Sequence, residues 1–380
     1  MNKFEKVRQE QFPITAKYAY LDTSSSGLIS KNSRDAMVNY INDRYENALD
    51  IAGVNAAWNH ADAMRKPVAE MFNAEPEEIF FGGAASTIIS IFSAGIRLKE
   101  NANIVMSGLT FPSTPYTWMN RVGVENVRIA QPVDGKMPAQ QLFDLVDENT
   151  AVISLCSVEN TTGFRHDLKE ISDFCQERGI YLALDITQGI ASMKIDVKET
   201  PIDFMVGSTF KWLGGLFGFG IGYVSKRVLD KITPVHVGWT GNKNRMDHSK
   251  YVLNLSDNAN KFETGMLNWE SLRGLEEAVK LYMDLGPDDV EKHILSLTDY
   301  MYEQLAGIDY VSVKGNFEKK NRSGIMYINV PAEWDLTNAI MAEHGIRAHM
   351  SGGCIRIGIH YFNNKADLDR LVDFLKNYGK

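Results

Sequence analysis

The most constraining feature of this sequence is an alternation of short apolar runs with amphipathic helical segments, which continues from about residue 78 to residue 225. Such alternation is typical of βα units arranged around a mostly parallel sheet, and the predicted fold class is therefore α/β. Several runs are apolar on both faces, as buried parallel strands are. The predicted strands are EIFF (78–81), NIVM (103–106), NVRIA (126–130), AVISLC (151–156), YLALD (181–185), DFMVG (203–207) and GIGYV (220–224).

After about residue 265 the pattern changes to long amphipathic helices followed by short strands at SGIMYINV and GCIRIGIH. A chain of 380 residues is longer than one hydrophobic core usually supports. We therefore predict a large α/β domain over residues 15–264 and a smaller α+β domain formed by residues 1–14 and 265–380. Ligands commonly bind in the cleft between two such domains.

Charge and composition argue against several functional classes. A formal net charge of −8 without a block of Lys and Arg argues against a nucleic-acid partner. No apolar run approaches the roughly 18 residues of a membrane span, and the N-terminus lacks the apolar core of a signal peptide. We therefore expect a cytoplasmic protein with no membrane partner. Three scattered cysteines and the lack of an HExxH motif give no support for a disulfide framework or a metal site.

The segment GSTFKWLGG places Lys211 shortly after a predicted strand, at the edge where α/β sheets bind ligands. A lysine amine can form an imine with an aldehyde cofactor, and burial lowers its pKa enough for it to transfer protons later. The alternative is an exposed lysine without a chemical role, because most lysines lie at the surface. Three other features favour the first interpretation.

A carboxylate, Asp185, ends the apolar strand YLALD, where a charge is costly unless it meets a cation. A protonated pyridine nitrogen is such a cation, and the protonated ring is an electron sink for a carbanion at the α-carbon of an amino acid. Asp185 would keep the ring protonated, and Gln188 could donate a hydrogen bond to its phenolic oxygen. The alternative for Asp185 is a helix N-cap, which a strand-to-helix position also permits.

The segment FFGGAASTIISIF is predicted as a strand, a glycine turn and a helix that begins with small and hydroxyl residues. Unpaired N–H groups at a helix N-terminus bind phosphate, although glycine followed by serine is also plain capping. The predicted phosphate-binding residues are Gly83, Ala84, Ala85 and Ser86. A dinucleotide is not supported, because GGLFGFGIGYV leads into a strand and lacks the GxGxxG spacing. An aldehyde, a pyridine ring and a phosphate together describe pyridoxal 5′-phosphate (PLP).

The last feature is an arginine on a short strand of the small domain, in CIRIGIHYFNN. An inward-facing guanidinium at a domain cleft binds a carboxylate in bidentate geometry. We therefore predict that Arg356 binds the carboxylate of a small amino acid substrate. A surface or structural ion pair is the alternative.

In their order, these motifs resemble the class V aminotransferase family of fold type I PLP-dependent enzymes. That family includes cysteine desulfurases, selenocysteine lyases, kynureninases and isopenicillin N epimerase-like proteins. The resemblance runs nearly end to end, through YLDTSSSGLIS, GGAAST, TFPSTPYTW, SVENTTGF, LALDITQG, GSTFKW, PVHVGW, KFETGMLNW and CIRIGIHYFNN. It implies PLP as the cofactor, a seven-stranded and mostly parallel sheet, and a homodimer whose active sites lie near the subunit interface.

The same resemblance implies roles for single residues. Phe111 is expected to stack on the pyridine ring, and Ser208 is expected to bind the phosphate. Asn160 is expected near the phenolic oxygen or the substrate. Trp239 and Ser26 are expected at the substrate.

Departures from the family pattern bear on the reaction. Desulfurases generally carry histidine where this chain has Phe111 and Phe210, and phenylalanine cannot titrate. Their nucleophilic cysteine lies on a loop well ahead of the carboxylate-binding arginine, whereas Cys354 is only two residues before Arg356. A persulfide mechanism through a protein thiolate is thus poorly supported. Met266 stands where many relatives have a threonine that binds phosphate across the subunit interface.

Every version of the reaction begins with exchange of the Lys211 aldimine for a substrate aldimine, followed by removal of the α-proton by the freed lysine. Protonation of the cofactor then gives transamination, loss of a β-substituent gives a lyase, and return of the proton gives racemisation or epimerisation. We rank an aminotransferase first, a carbon–sulfur β-lyase or cysteine desulfurase-like enzyme second, and a racemase or epimerase third. A non-catalytic PLP-binding protein is least favoured, since Lys211, Asp185 and Arg356 are all present.

Overall fold

The structure, a computed structural model, describes residues 1–247 and 249–378. The strands in these residues are β1 (Ala19–Tyr20), β2 (Ile79–Gly82), β3 (Asn103–Ser107), β4 (Val127–Ala130), β5 (Thr150–Cys156), β6 (Tyr181–Asp185), β7 (Phe204–Ser208), β8 (Gly220–Val224), β9 (Ser312–Val313), β10 (Ile325–Asn329), β11 (Ile346–Arg347), β12 (His349–Ser351) and β13 (Cys354–Gly358). The α-helices are α1 (Lys3–Gln11), α2 (Lys31–Asn47), α3 (Ile51–Glu70), α4 (Ala85–Gly95), α5 (Ser113–Val122), α6 (Ala139–Phe143), α7 (Leu168–Arg178), α8 (Lys226–Leu229), α9 (Trp269–Leu285), α10 (Pro287–Leu305), α11 (Asn338–Glu343) and α12 (Lys365–Asn377). None of the helices in the described part of the chain combines the length and the apolar character that crossing a membrane requires.

A seven-stranded sheet forms the centre of the α/β part, with the strand order β2-β8-β7-β6-β5-β3-β4. The strands from β7 to β4 in this order pair in parallel, whereas β8 is antiparallel to both of its neighbours. Each strand begins and ends within one residue of a run predicted from the sequence. The predicted mostly parallel, seven-stranded sheet is confirmed.

Both faces of this sheet are buried. In β3, Ile104 and Met106 belong to the hydrophobic core on one face, and Val105 belongs to the core on the other face. In β6, Ala183 belongs to the same core as Ile104 and Met106, and Leu182 belongs to the same core as Val105. Successive side chains of a strand point to opposite faces, so a strand that is covered on both sides is apolar throughout.

The C-terminal part is built around an antiparallel sheet with the strand order β12-β13-β10-β9. Helices α10 and α12 share a hydrophobic core with β10 and β13. Near the N-terminus, the buried guanidinium of Arg8 donates to both carboxylate oxygens of Asp367, at 2.6 and 2.8 Å, and so joins α1 to α12. The division into residues 15–264 and residues 1–14 with 265–380 stays a prediction.

Helix α7, Leu168–Arg178, lies between β5 and β6. The side chain of Asp167 caps it by accepting a hydrogen bond from Glu170 N–H, and Gly179 ends it at a φ of 66°. That left-handed conformation favours glycine. The inner face of the helix buries Cys175, which is therefore a core residue.

Candidate active site

A cavity of about 210 Å³ lies where β5, β6 and β7 end, at Cys156, Asp185 and Ser208. These strands are parallel and adjacent, so their carboxyl ends meet at one edge of the sheet. The lining residues are Ala84, Ala85, Ser86, Phe111, Ser113, Cys156, Asn160, Asp185, Thr187, Gln188, Ser208, Phe210 and Lys211. All residues predicted from the sequence to bind the cofactor are among them, except Gly83, which directly precedes Ala84.

Lys211 is half-buried on the turn that follows β7. Burial lowers the pKa of its amine, the charge of Asp185 opposes this shift, and the charge of Arg356 adds to it. A larger fraction of the amine is therefore neutral at a given pH than in an exposed lysine. The rings of Phe111 and Phe210 lie 5.9 and 5.7 Å from Nζ. The structure thus places Lys211 in the cavity rather than at the exposed position of the alternative interpretation.

The backbone at Lys211 packs against the segment YLDTSSSGLIS. Gly27 N–H donates to the carbonyl of Phe210 at 2.9 Å. A Cβ atom on Gly27 would lie 1.7 Å from the carbonyl oxygen of Lys211, so this close approach requires glycine. Ser26 adjoins this contact, and its own carbonyl accepts a hydrogen bond from the Tyr20 hydroxyl at 2.6 Å. The expected role of Ser26 at the substrate stays a prediction.

Asp185 is the buried last residue of β6. Burial raises the pKa of its carboxyl, while hydrogen bonds with Thr187 and the charge of Lys211 act in the other direction. Thr187 N–H donates to its Oδ1 at 2.9 Å. The residues that follow form turns rather than a helix, so Asp185 is not a helix N-cap. A buried carboxylate at a cavity needs a cation to offset the cost of its desolvation.

Gln188 lines the cavity, and its amide group has two protein partners. Nε2 donates to the carbonyl of Ser24 at 3.1 Å, and Oε1 accepts from the indole N–H of Trp212 at 2.8 Å. The predicted hydrogen bond to a phenolic oxygen would therefore have to use the second hydrogen of Nε2. The bond to Trp212 also ties Gln188 to the residue that follows Lys211.

Two helices begin at the cavity without a side-chain cap. The N-cap of α4 is Ala84 and that of α5 is Pro112, and neither side chain can accept a hydrogen bond from the first turn. The hydroxyl oxygens of Ser86 and Ser113 lie 2.7 Å apart. Ser208 lines the same cavity from the end of β7. Free N–H groups in the first turn of a helix, together with the helix dipole, form an anion site.

The loop after β5 brings Asn160 to the cavity. Its backbone carbonyl accepts a hydrogen bond from the Tyr327 hydroxyl at 2.7 Å, which connects this loop to β10. Its buried Oδ1 has no hydrogen-bond partner among the described residues. Phe111 is 43% exposed and lines the same cavity, so an aromatic surface is available there for stacking.

Arg356 lies on β13, close enough to the cavity for its charge to act on Lys211. Its guanidinium donates to the Ser25 hydroxyl, and Nη2 lies 3.9 Å from the carboxylate of Asp22. Its buried Nε has no hydrogen-bond partner among the described residues. The contact with Asp22 is at the outer limit for an ion pair, so the guanidinium still has donors for a carboxylate.

Trp239 is not among the residues that line the small cavity, and its expected role at the substrate stays a prediction. Its ring packs edge-on against Trp58, with 5.7 Å between ring centroids. Trp58 in turn packs edge-on against Trp269 at 4.8 Å. Trp239 therefore packs against α3 through Trp58, and the local sequence PVHVGW does not reveal that partner.

All three cysteines are buried. Cys156 lines the cavity, and burial raises the pKa of its thiol. Burial also raises the pKa of Cys175, to about 12. Cys354 begins β13, as predicted, and its thiol donates to Oδ1 of Asn329 at 3.0 Å. No cysteine is placed on an exposed loop from which a thiolate could reach first a substrate and then an acceptor.

Sequence reasoning did not identify Cys156 or Ser113 as cavity residues. Cys156 is the register partner of Asp185, so the pairing of two consecutive predicted parallel strands would have indicated it. Ser113 reaches the cavity only because α5 packs beside α4, and no local pattern indicates that packing.

A larger and more open cavity, of about 1250 Å³, is lined partly by the segment 240–247. Its charged groups have both signs, and Arg245 there pairs with Asp62 at 2.6 Å. No group of His, Cys, Asp and Glu side chains within the described residues is arranged to hold a metal ion. The chemistry predicted from the sequence therefore concentrates at the smaller cavity.

The groups around the smaller cavity fit PLP. An amine for the aldehyde, a buried carboxylate for the ring nitrogen and an aromatic surface for the ring surround one volume. The uncapped helix N-termini supply N–H groups for the phosphate. Fold and site together define a PLP-dependent enzyme of fold type I.

The chain belongs to the class V aminotransferase family, because the family model described as "Aminotransferase class-V" matches residues 19–371. A probable cysteine desulfurase of Methanothermobacter thermautotrophicus is 26% identical over 98% of this chain and 97% of its own length. An uncharacterized aminotransferase of Bacillus subtilis, YcbU, is 23% identical over 97% of this chain and 96% of its own. PLP is the cofactor of this family and of this protein.

Solved structures share the whole architecture. A complex of the cystine C–S lyase C-DES with its reaction product cysteine persulfide has a TM-score of 0.87 at 19% identity, over 97% of this chain and 100% of that chain. The cysteine desulfurase CsdA of Escherichia coli has a TM-score of 0.85 at 18% identity, over 100% of this chain and 98% of that chain. At such low identity the likeness shows the common fold alone.

Proposed function

We propose that this protein is a PLP-dependent carbon–sulfur lyase that acts on cysteine or on a cystine-like disulfide of cysteine. The observation that carries the proposal is a cavity lined by the side chains expected to bind PLP, combined with three buried thiols. The relatives named as cysteine desulfurases favour this second-ranked interpretation over the aminotransferase that we ranked first. The aminotransferase has support from the family description and from one uncharacterised relative.

Arg356 is the proposed site of the substrate carboxylate. Its Nε is buried and unpaired among the described residues, and the hydroxyl of Ser25 orients one Nη. A carboxylate that accepts two hydrogen bonds from the guanidinium has a fixed orientation. In that orientation the α-carbon of the substrate faces Lys211. Since β13 also carries Cys354, the strand that binds the substrate holds that thiol in place.

When bound, PLP draws electrons from the α-carbon of the substrate and so weakens its C–H bond. Asp185 holds a proton at the ring nitrogen, because a buried carboxylate attracts a proton strongly. Lys211 takes the α-proton, and its lowered pKa leaves more of the amine free to do so. The protonated Lys211 can then give a proton to the departing sulfur.

The overall reactions balance without a protein thiol. Cysteine and water give sulfide, pyruvate and ammonia after the bond from the β-carbon to sulfur breaks. Cystine and water give cysteine persulfide, pyruvate and ammonia by the same cleavage. Because the sulfur leaves on a small molecule, the burial of Cys156, Cys175 and Cys354 does not hinder turnover.

The proposed function is tested by incubating the PLP-loaded protein separately with cysteine, cystine, alanine and aspartate, each with and without an added 2-oxo acid as amino acceptor. We expect pyruvate to form from cysteine or cystine, with one sulfide or persulfide for each pyruvate. Transamination would instead form a keto acid only when an amino acceptor is added, and it would release no sulfur. Keto acid from alanine or aspartate without sulfur release from cysteine or cystine would contradict the proposal and support the aminotransferase.

Cys354→Ala is expected to keep sulfur release within about twofold of the wild-type rate. The thiol is fixed in β13 by its bond to Asn329 and cannot move to carry a persulfide outward. Pyruvate and sulfide assays with cysteine and cystine provide the measurement. If the variant still exchanges the α-proton but no longer releases sulfur, Cys354 is a nucleophile and a desulfurase mechanism is correct.

Arg356→Gln is expected to raise KM about 10- to 100-fold and to change kcat much less, because hydrogen bonds to a charged partner are lost in both the ground state and the transition state. Initial rates over a range of substrate concentrations separate the two constants. A matched control is Arg322→Gln, because Arg322 has a similarly shielded side chain and pairs with Asp299 at 2.6 Å in the C-terminal part. Equal effects of the two substitutions on KM would show that Arg356 is a structural ion-pair residue.

The homodimer and the cytoplasmic location expected from the sequence stay predictions. Met266, at the position of the relatives' phosphate-binding threonine, is 58% exposed. A methionine side chain cannot donate a hydrogen bond. If two copies associate as the resemblance implies, the phosphate site would therefore have to be completed by residues other than Met266.

A further inference from the structure

Helices α4 and α5 run side by side from the cavity, and hydroxyl groups join them in two layers. In the first layer Ser86 and Ser113 lie 2.7 Å apart, and both residues line the cavity. One turn further along each helix, Ser90 and Thr117 lie 3.4 Å apart and do not belong to the cavity lining. Both layers consist of two side-chain hydroxyl groups, and only the first layer lies at the cofactor cavity.

Both helices lack the side-chain cap that other helices of this protein have. Helix α7 is capped by the side chain of Asp167 and helix α9 by that of Asn268. The N-caps Ala84 and Pro112 leave the first turns of α4 and α5 without such an acceptor. In α5, Thr114 N–H already donates to the carbonyl of Phe111 at 3.0 Å and Pro115 has no N–H, so this helix offers an anion the N–H of Ser113. An anion placed between the two N-termini would accept from that N–H and from the first turn of α4.

The charge around the cavity makes neutral donors important. Lys211 is the one basic side chain in the described lining, and in the proposed function its amine is committed to the aldehyde of the cofactor. Asp185, in the same lining, has the sign that repels a phosphate. A phosphate at this cavity must therefore be bound mainly by N–H and O–H groups.

We propose that the hydroxyl of Ser113 binds the phosphate of PLP, together with the hydroxyl of Ser86, a residue whose backbone N–H is predicted from the sequence to bind the same phosphate. This proposal rests on the proposed function, because it takes the cavity at Lys211 as the PLP site. Each serine hydroxyl has one hydrogen to donate and can turn from the other serine to a phosphate oxygen. Ser113 therefore adds a donor from a second helix to the phosphate site.

The experiment compares two ligands that differ only in the phosphate. Protein freed of its cofactor is titrated with PLP and with pyridoxal, and the visible absorption of the lysine-bound compound reports binding. Ser113→Ala is expected to weaken PLP binding about 10- to 100-fold, as the loss of a hydrogen bond to a charged group does. Pyridoxal binding should change less than about twofold, since pyridoxal has no phosphate to lose contact with. Ser113→Thr keeps a hydroxyl and should bind PLP nearly as tightly as the wild type.

Thr117→Ala and Ser90→Ala are the matched controls, because they remove the same chemical group from the second layer. Neither should change the affinity for PLP or for pyridoxal. Equal weakening of both ligands by Ser113→Ala would show a structural role and overturn the proposal, as would an unchanged PLP affinity. Failure of the proposed function looks different. If the cavity at Lys211 is not a PLP site, the wild-type protein itself would give no lysine-bound absorption with either ligand. If the enzyme is an aminotransferase, the titrations keep the expected pattern and only the sulfur-release assay fails.

Discussion

Lys211→Met is expected to reduce turnover by at least about a thousandfold, because the substitution removes the proposed cofactor anchor and general base in one step. Burial lowers the pKa of the lysine amine, and a neutral amine is the form that takes a proton from a substrate α-carbon. Methionine has a similar length and no basic atom, so the cavity keeps its shape while proton transfer is lost. The rate of pyruvate and sulfide formation with cysteine or cystine provides the measurement.

Lys261→Met is the matched control for this substitution. Lys261 is also buried with a lowered pKa, but its amine donates to the carbonyls of Leu229 and Ile232, away from the cavity. Its loss should reduce stability and leave the lysine-bound cofactor in place. Borohydride reduction followed by peptide mapping should find the pyridoxyl group on Lys211 in both the wild type and the control. A pyridoxyl group on any other lysine would overturn the assignment.

Asp185→Asn is expected to retain PLP and to lose about a hundredfold or more in turnover, the usual cost of removing an electrostatic stabiliser. The amide oxygen can still accept the hydrogen bond from Thr187 N–H, so the local structure should persist. A neutral amide cannot hold a proton at the ring nitrogen, and the α-carbon then loses its electron sink. Steady-state rates together with the cofactor content of the purified variant separate loss of chemistry from loss of binding.

Asp203→Asn tests whether removal of any buried carboxylate has this effect. Asp203 is also buried with a raised pKa, but it accepts a hydrogen bond from Leu182 N–H and pairs with Arg227 at 2.7 Å, away from the cavity. Its substitution should reduce stability more than it reduces the turnover of the folded enzyme. If Asp185→Asn keeps turnover within about twofold of the wild type, Asp185 does not act on the cofactor ring.

The sheet could be predicted from the sequence because burial on both faces leaves a local signal. A strand covered by helices on each side must be apolar throughout, and several of the seven predicted runs satisfy this rule. The edge strand β4 carries Arg128 and is partly exposed, and its run was predicted from the alternation of strands and helices. The residues proposed to act on the cofactor could also be predicted, because they lie at the ends of strands. Asp185 is the last residue of one apolar strand and Lys211 lies shortly after the next, and parallel strands bring such residues to one edge of the sheet.

Contacts between distant segments could not be predicted in the same way. The expectation for Trp239 rested on resemblance to a family, and only the structure shows that its ring packs against Trp58. The amide of Gln188 was expected to serve the cofactor, and the structure shows that Ser24 and Trp212 also bind it. These partners are far apart in the sequence, and no spacing rule connects them.

The sequence by itself determined the α/β class, the strands, the lysine and carboxylate of the candidate site, and the family. Each depends on residues that are neighbours along the chain, where periodicity and residue type are sufficient. Only the tertiary structure decided that Ser113 meets Ser86, that Cys156 lines the cavity, and that Cys354 is fixed against Asn329. Those contacts depend on how helices and strands pack, and packing is decided by the summed burial of many side chains rather than by any local pattern.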